Sequence, residues 1–292
     1  MAVVLSHNPG SSLEDVVRAL AAQTLTPART IIVDNASTDG STDTVERVAA
    51  EAGLEGLEVI ALGENMGVGA GHTVGWKAAL ADPSCELVWS LEHDTCAEPE
   101  CLERLVGTAH SRITAGERLG IVAARGERTV QEGAERDAAG APTEPFPAPR
   151  VTFNGILVTR ALVEAIGFPR ADFFVGFEDW ELHRRLTRAG FTAVEDPRAL
   201  VLHRTKGDHR MGLRPSVLRS YYSTRNSVYL RVAVDGERWA RLRSAAWALA
   251  SVGRIVVRDD RRAARVCARV TATFDGVTGR LGHRHYWFLR PH

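Results

Sequence analysis

The segment Thr30–Ser41 reads TIIVDNASTDGS. Thr30–Val33 is a short run rich in β-branched residues and suited to a buried strand. Asp34 closes the run. The Ser/Thr/Asp/Gly stretch behind it has the chemistry of a turn and a helix cap, and it leads into an amphipathic pattern over Thr42–Ala52. The same alternation extends to both sides. Ala2–Leu5, Leu57–Leu62, Leu87–Leu91 and Leu119–Ala124 read as strands, and Ser11–Thr24, Gly71–Ala81 and Pro99–Ala109 read as helices. Ser11 followed by Glu14 has the spacing of a capping box. This alternation predicts an α/β fold, a mainly parallel sheet with helices on both faces. Ligands of such sheets bind outside the carboxyl ends of the strands, so the residues just after each strand are the candidates for chemistry.

Beyond this half the pattern changes. Arg125–Arg150 loses periodicity and reads as a long loop beside a site. Regularity resumes with a strand at Val151–Thr159, helices at Arg160–Ile166 and Glu178–Ala189, and strands at Phe191–Glu195 and Ala199–Leu202. His203–Arg214 is polar and basic, and the remainder is helical and Arg-rich. The chain has 292 residues, 45% hydrophobic and 25% charged, the balance of a folded globular protein. Its 36 basic and 36 acidic residues cancel, but not evenly along the chain. From Arg214 onward there are 16 Arg and five Asp/Glu, a net +11, so residues 1–213 carry a net −11. The expected division is a catalytic unit at 1–213, with a nucleotide-binding half at 1–124 and an acceptor half at 151–213, followed by a helical extension at 214–292. Cys85, Cys96, Cys101 and Cys267 form no paired CxxC spacing, which excludes a structural zinc site of that kind and fits reduced thiols. The N-terminus shows no signal-peptide pattern, and Ala245–Val252 falls far short of the ~20 residues needed to span a bilayer. A cytoplasmic protein, in solution or lying on the inner face of the membrane, is expected.

Six positions along the chain sit where chemistry is expected. Ser6-His7-Asn8 follows the first strand. Asp34, after the second, can accept hydrogen bonds from a base or ribose. Asn65-Met66-Gly67-Val68-Gly69-Ala70-Gly71-His72 precedes a helix, where glycines admit close approach and a helix N-terminus favours anions. It lacks the GxGxxG register of a dinucleotide site. Glu92-His93-Asp94 follows the fourth strand, and two carboxylates so spaced can hold Mg²⁺ or Mn²⁺ with positions left open for phosphates. Glu178-Asp179-Trp180 opens a helix behind the aromatic run Phe173–Phe177, offering a general base at the lip of an apolar pocket. His203 ends the last strand, ahead of the basic loop.

Taken together these residues resemble glycosyltransferase family 2 on a GT-A fold. The resemblance lies in IIVDNASTDGS (31–41), FNGILVTRALVEAIGF (153–168) and EDWELHRRLTRAGF (178–191), and in YYSTRNSVYLR (221–231), which is similar to the rhamnosyl- and galactofuranosyltransferase-like branch. It implies an inverting, metal-dependent transfer of one sugar from a UDP- or dTDP-linked donor to an acceptor hydroxyl. Asp179 would be the general base. Asp94 and His203 would hold Mn²⁺ or Mg²⁺. Ser6, Asn8, Asp34, Asn65, Gly67, Gly71, Glu92, His93 and Arg204 would contact the nucleotide-sugar, with Lys206 beside Arg204. Glu178 and Trp180 would meet the acceptor, which would be a glycan, a lipid-linked species or a secondary metabolite. In the Gly-rich stretch His72-Thr73 replaces residues that are often Asn in the family, and the first acid of the metal motif is Glu rather than Asp.

Rival readings are a non-catalytic nucleotide-sugar binder or scaffold, and a sugar nucleotidyltransferase. The latter expects a Gly-rich, Arg-containing loop where this chain has Ser6-His7-Asn8-Pro9-Gly10. The basic tail reads as docking on the acidic unit or as a homodimer through the C-terminal helices, ahead of peripheral contact with anionic lipid. No base-reading motif accompanies its charge, so nucleic acid is not an expected partner.

Overall fold

A computed structural model describes residues 1–127, 142–203, 216–258 and 261–289. The first half alternates as expected: β1 (Ala2–Ser6), α1 (Ser12–Ala21), β2 (Thr30–Asp34), α2 (Val45–Ala52), β3 (Leu57–Ala61), α3 (Val68–Leu80), β4 (Leu87–Glu92), β5 (Thr95–Ala97), α4 (Cys101–Thr114) and β6 (Leu119–Glu127). Then come β7 (Phe146–Pro147), β8 (Ile156–Thr159), α5 (Arg160–Ile166), α6 (Glu178–Arg188) and β9 (Thr192–His203). Three helices complete the chain: α7 (Val217–Tyr229), α8 (Ala240–Arg258) and α9 (Arg262–Thr278).

The strands form one sheet in the order β3-β2-β1-β4-β8-β6-β9-β5, with β7 beside β9. β1 to β4 pair in parallel, as do β6 and β9; β8 runs antiparallel between β4 and β6. Alternation along the strands divides the core. Ala2, Val4, Ile32 and Leu91 face α1, α2 and α4, while Val3, Leu5, Ile31 and Val33 face α3, α5 and α6. Apolar residues on both sides of the strands are the reason for helices on both faces.

Three local expectations differ from the structure. The Ser11 side chain makes no cap bond, its backbone being helical rather than extended, and Glu14 pairs instead with Arg18 and accepts from the hydroxyl of Thr44 just ahead of α2. The strand at Val151–Thr159 begins only at Ile156, after Gly155 turns the chain at φ +87° against Val201 and Ala124. The two strands at Phe191–Glu195 and Ala199–Leu202 are one, β9, with a register shift against β6 between Ala124 and Arg125.

The extension carries a third core, in which Tyr221, Tyr222, Ala264, Ala268 and Phe288 close around Phe174 of the preceding unit. Its first helix is held by Arg225, fully buried, which donates to the carbonyls of Asp172, Phe173 and Gly282. Beside it the Asn226 amide donates to the carbonyls of Phe173, Val175 and Gly176. An ion pair between Arg184 of α6 and Asp235 adds to this contact. Among the described residues no helix is long and apolar enough to cross a membrane.

Candidate active site

The strand ends place the polar groups. β4 stops at Glu92, the chain turns through His93 and Asp94, and β5 pairs antiparallel with β9 so that Thr95 stands opposite His203. That pairing brings His203 Nε2 to 3.1 Å from Asp94 Oδ2. Glu92, Asp94 and His203 each offer a ligand atom within 4.8 Å of the others. Asp94 Oδ1 is buried with no hydrogen-bond partner. Two carboxylates and an imidazole suit a divalent ion of the Mn²⁺ type, and the unpartnered oxygen is what such an ion would satisfy.

Across the cavity, the segment 172–177 delivers Glu178 and Asp179 at the start of α6. Phe174 and Phe177 both hold positive φ, +66° and +73°, a strained arrangement for bulky residues. It persists because the carbonyls between them are bound. Those of Phe173, Val175 and Gly176 accept from Asn226, and that of Phe174 accepts from the Val68 N–H at 2.6 Å. Glu178 is buried with Oε2 unpartnered.

The electrostatics follow from this burial. Desolvation, then the Asp94 charge, pushes Glu92 up to about 7. Desolvation, then the Asp179 charge, pushes Glu178 up to about 8. Burial raises Asp179 to about 6, against the N–H of Trp180 and the charge of Arg150. Burial is the strongest single influence on Asp94 and works to raise it, but the hydrogen bond to His203 together with the charges of His203 and His93 outweighs it and holds Asp94 below the ordinary carboxylate value. The site therefore holds one acid kept ionised beside a histidine and others that share protons near neutrality.

These groups line a cavity of about 710 Å³ together with Arg150, Asn154, Trp180 and Arg219. A smaller pocket of about 220 Å³, lined by His7, Asn35, Asn65, Gly67 and His93, shares Glu92, Val68 and Val175 with it. The pair of pockets lies at the carboxyl ends of β1, β2 and β4, where one part can take a nucleotide and the other a sugar and acceptor.

The family model of glycosyl transferase family 2 matches residues 1–167. The chain belongs to glycosyl transferase family 2. Galactofuranosyltransferase GlfT1 of Mycobacterium tuberculosis is 30% identical over 203 residues, 65% of this chain and 64% of the relative. Its counterpart in Mycolicibacterium smegmatis is 28% identical over 205 residues. The chain thus spans about 64% of the length of the curated relatives it matches. Among solved structures, the mannosyltransferase PcManGT of Pyrobaculum calidifontis, in complex with GDP-Man and Mn²⁺, superposes with a TM-score of 0.57 at 16% identity, covering 96% of this chain and 87% of that one. S. aureus TarS 1–349 with UDP-GlcNAc gives 0.58 at 17%, covering 96% and 81%. The fold is GT-A.

Within this family 2 chain, the structure gathers Asn65, Gly67, Glu92, His93, Asp94, Glu178, Asp179, Trp180 and His203 around the two pockets. The other expected contacts are not among the residues lining either pocket. Asn8 Oδ1 accepts from the Thr38 N–H, fastening the loop after β1 to the loop after β2. Asp34 is buried at the end of β2 and caps the Ser37 N–H at 3.0 Å. Ser6 is wholly buried. Gly71 faces the core, where an added Cβ would lie 2.3 Å from Leu5.

The glycine-rich stretch admits the protein's own chain. A Cβ at Gly67 would fall 2.2 Å from the Phe174 carbonyl oxygen, and one at Gly69 2.2 Å from that of Arg170. His72 is an inner residue, bound to Ser90 and pushed down to about 3 by burial, so it stays neutral. Arg204 and Lys206 lie outside the described residues. The spacing named His7 only as part of the group after the first strand, and did not single out Asn35, Arg150, Asn154 or Arg219. Of these, Asn35 had a signal, since it directly follows Asp34 and its amide binds Asn65 and Gly67.

Proposed function

We propose that the protein moves one sugar from a nucleoside-diphosphate sugar, UDP- or dTDP-linked, to an acceptor hydroxyl with inversion at the anomeric carbon. The observation that carries this is the meeting of Glu92, Asp94 and His203 with Asp179 in one cavity at the strand ends. Asp94 and His203, with Glu92 beside them, would hold Mn²⁺ or Mg²⁺, which supplies charge neutralisation for the departing diphosphate. Asn65, Gly67, His93 and His7 line the smaller pocket, which takes the nucleotide. Arg219, from α7, borders the larger cavity and is the cation placed to meet the diphosphate.

Asp179 accepts the proton of the attacking hydroxyl. Its burial makes it a stronger base than a solvated aspartate while leaving it mostly ionised at pH 7. Glu178, protonated at that pH, can donate to an acceptor oxygen, and Trp180 offers the apolar face on which a sugar ring rests. The acceptor is a glycan, free or lipid-linked, or a secondary metabolite. The names of the curated relatives make a galactofuranosyl donor the first to test.

A donor panel including UDP-galactofuranose and dTDP-rhamnose, with and without Mn²⁺ or Mg²⁺, decides the matter. Metal-dependent release of the nucleoside diphosphate supports the reading. Binding of donor with no turnover under any metal, with any acceptor offered, would make the protein a nucleotide-sugar binder instead.

A further inference from the structure

Helix α8 is packed the wrong way round for a solvated helix. The residues it buries are Ala240, Ser244, Ala248, Ser251 and Ile255, a stripe of mainly small side chains at helical spacing. Its outer side carries Leu242 and Leu249, 64% and 74% exposed, with Ala245 and Ala246 between them. Trp239, just ahead of the helix, is 55% exposed, and Phe274 of the adjoining α9 is 52% exposed. Most of the large hydrophobic side chains that the described residues expose therefore fall in 239–287, a concentration that a solvated surface does not require.

The charge within this helix has one sign. Residues 240–258 contain four Arg and no Asp or Glu. Among the described residues the neighbouring acids are engaged: Asp235 with Arg184, Glu237 with Arg243, and Asp275 with the hydroxyls of Tyr221 and Tyr286; Asp259 and Asp260, which follow the helix, lie outside them. A second copy placed on this face by a two-fold axis would bring the same arginines against themselves. An anionic surface supplies the opposite charge, and its hydrocarbon boundary accepts leucine and tryptophan.

We propose that the outer face of α8, led by Trp239, docks flat on an anionic lipid bilayer, with Arg238 and Arg241 on lipid phosphates and Leu242 and Leu249 below the headgroups. At 19 residues the helix is about 28 Å long, and it lies in the interface rather than crossing it. The proposal rests on exposure and charge alone and does not depend on which sugar the cavity takes.

Flotation of the full chain with vesicles of phosphatidylcholine, with and without phosphatidylglycerol, tests it. Binding is expected only to the anionic vesicles and should weaken steeply with added salt. The double variant Leu242→Glu, Leu249→Glu should lose about tenfold or more of that binding. Both side chains are exposed, so circular dichroism and turnover with a water-soluble acceptor should be unchanged. Arg238→Gln with Arg241→Gln keeps the apolar face and should lower the salt sensitivity. No flotation with anionic vesicles overturns the proposal. So does a dimer in analytical ultracentrifugation that the leucine variants dissolve, which would assign the face to a second copy.

Discussion

At the scale of single residues, the site is a contest between burial and charge. Asp179 loses solvent and is pushed up to about 6, while Asp94, no less in need of water, is kept ionised by His203. If Asp179 is the base, it must be deprotonated, so turnover should be full above its pKa and fall tenfold per unit as pH drops below about 6. A pH profile of kcat checks this, and Asp179→Asn should remove the acidic limb along with roughly 10²–10⁴ of the rate. Glu178 gives an opposite sign for stability. Its folded pKa lies above the value of an unfolded glutamate, so it weakens the fold progressively as pH rises from about 4.5 towards 8. Glu178→Gln should flatten that part of the stability curve in denaturant titrations at several pH values. Asp94→Asn and His203→Ala should each reduce the midpoint shift that Mn²⁺ produces in thermal unfolding, because each removes one donor from the set.

At the scale of elements, what was legible in the sequence was what hydrophobic patterning controls. β1, β2, β3, β4 and β6 were readable because their residues are mainly apolar, and α5 was readable to the residue. The site was partly legible for a related reason: Glu92, Asp94 and His203 all lie at strand ends. The pairing that joins them was not, since β5 is three residues long and owes its existence to β9 rather than to its own pattern. The glycine run also serves the protein's own packing. Its spacing showed that something approaches closely, but only the fold shows that it is the 170–174 segment. Gly69→Ala should therefore shift that segment and lower kcat, with the added methyl 2.2 Å from a backbone oxygen that has no flexible side chain to move. Asn226→Ala should act on the same segment from the other side. It removes three amide–carbonyl contacts around Phe174 and Phe177 and should lower kcat more than it raises the donor KM, with partial rescue by Asn226→Gln.

At the scale of the whole molecule, the neutral total charge conceals an acidic unit and a basic one, and the contact between them is not the general attraction of opposite nets. The groups that hold it are a buried arginine and an asparagine reading backbone carbonyls, and the two ion pairs seen there, Arg184 and Arg188 with Asp235, have their arginines on the acidic unit and their aspartate on the basic one. High salt should accordingly leave the two units joined. Thermal unfolding in low and high salt should remain one transition, since screening acts on exposed charges and not on these bonds.

The bonds from Arg225 to Asp172, Phe173 and Gly282, and from the Gly282 N–H to Asp172 at 2.7 Å, carry a consequence for how the chain is made. Synthesis runs from the N-terminus, so Asp94, Asp179 and His203 leave the ribosome well before the residues that hold 172–177 in place. A nascent chain of 203 residues possesses every acid of the cavity and still lacks its far wall. Competence arrives late, in a single step, when the stretch through Gly282 folds back onto a segment made more than a hundred residues earlier.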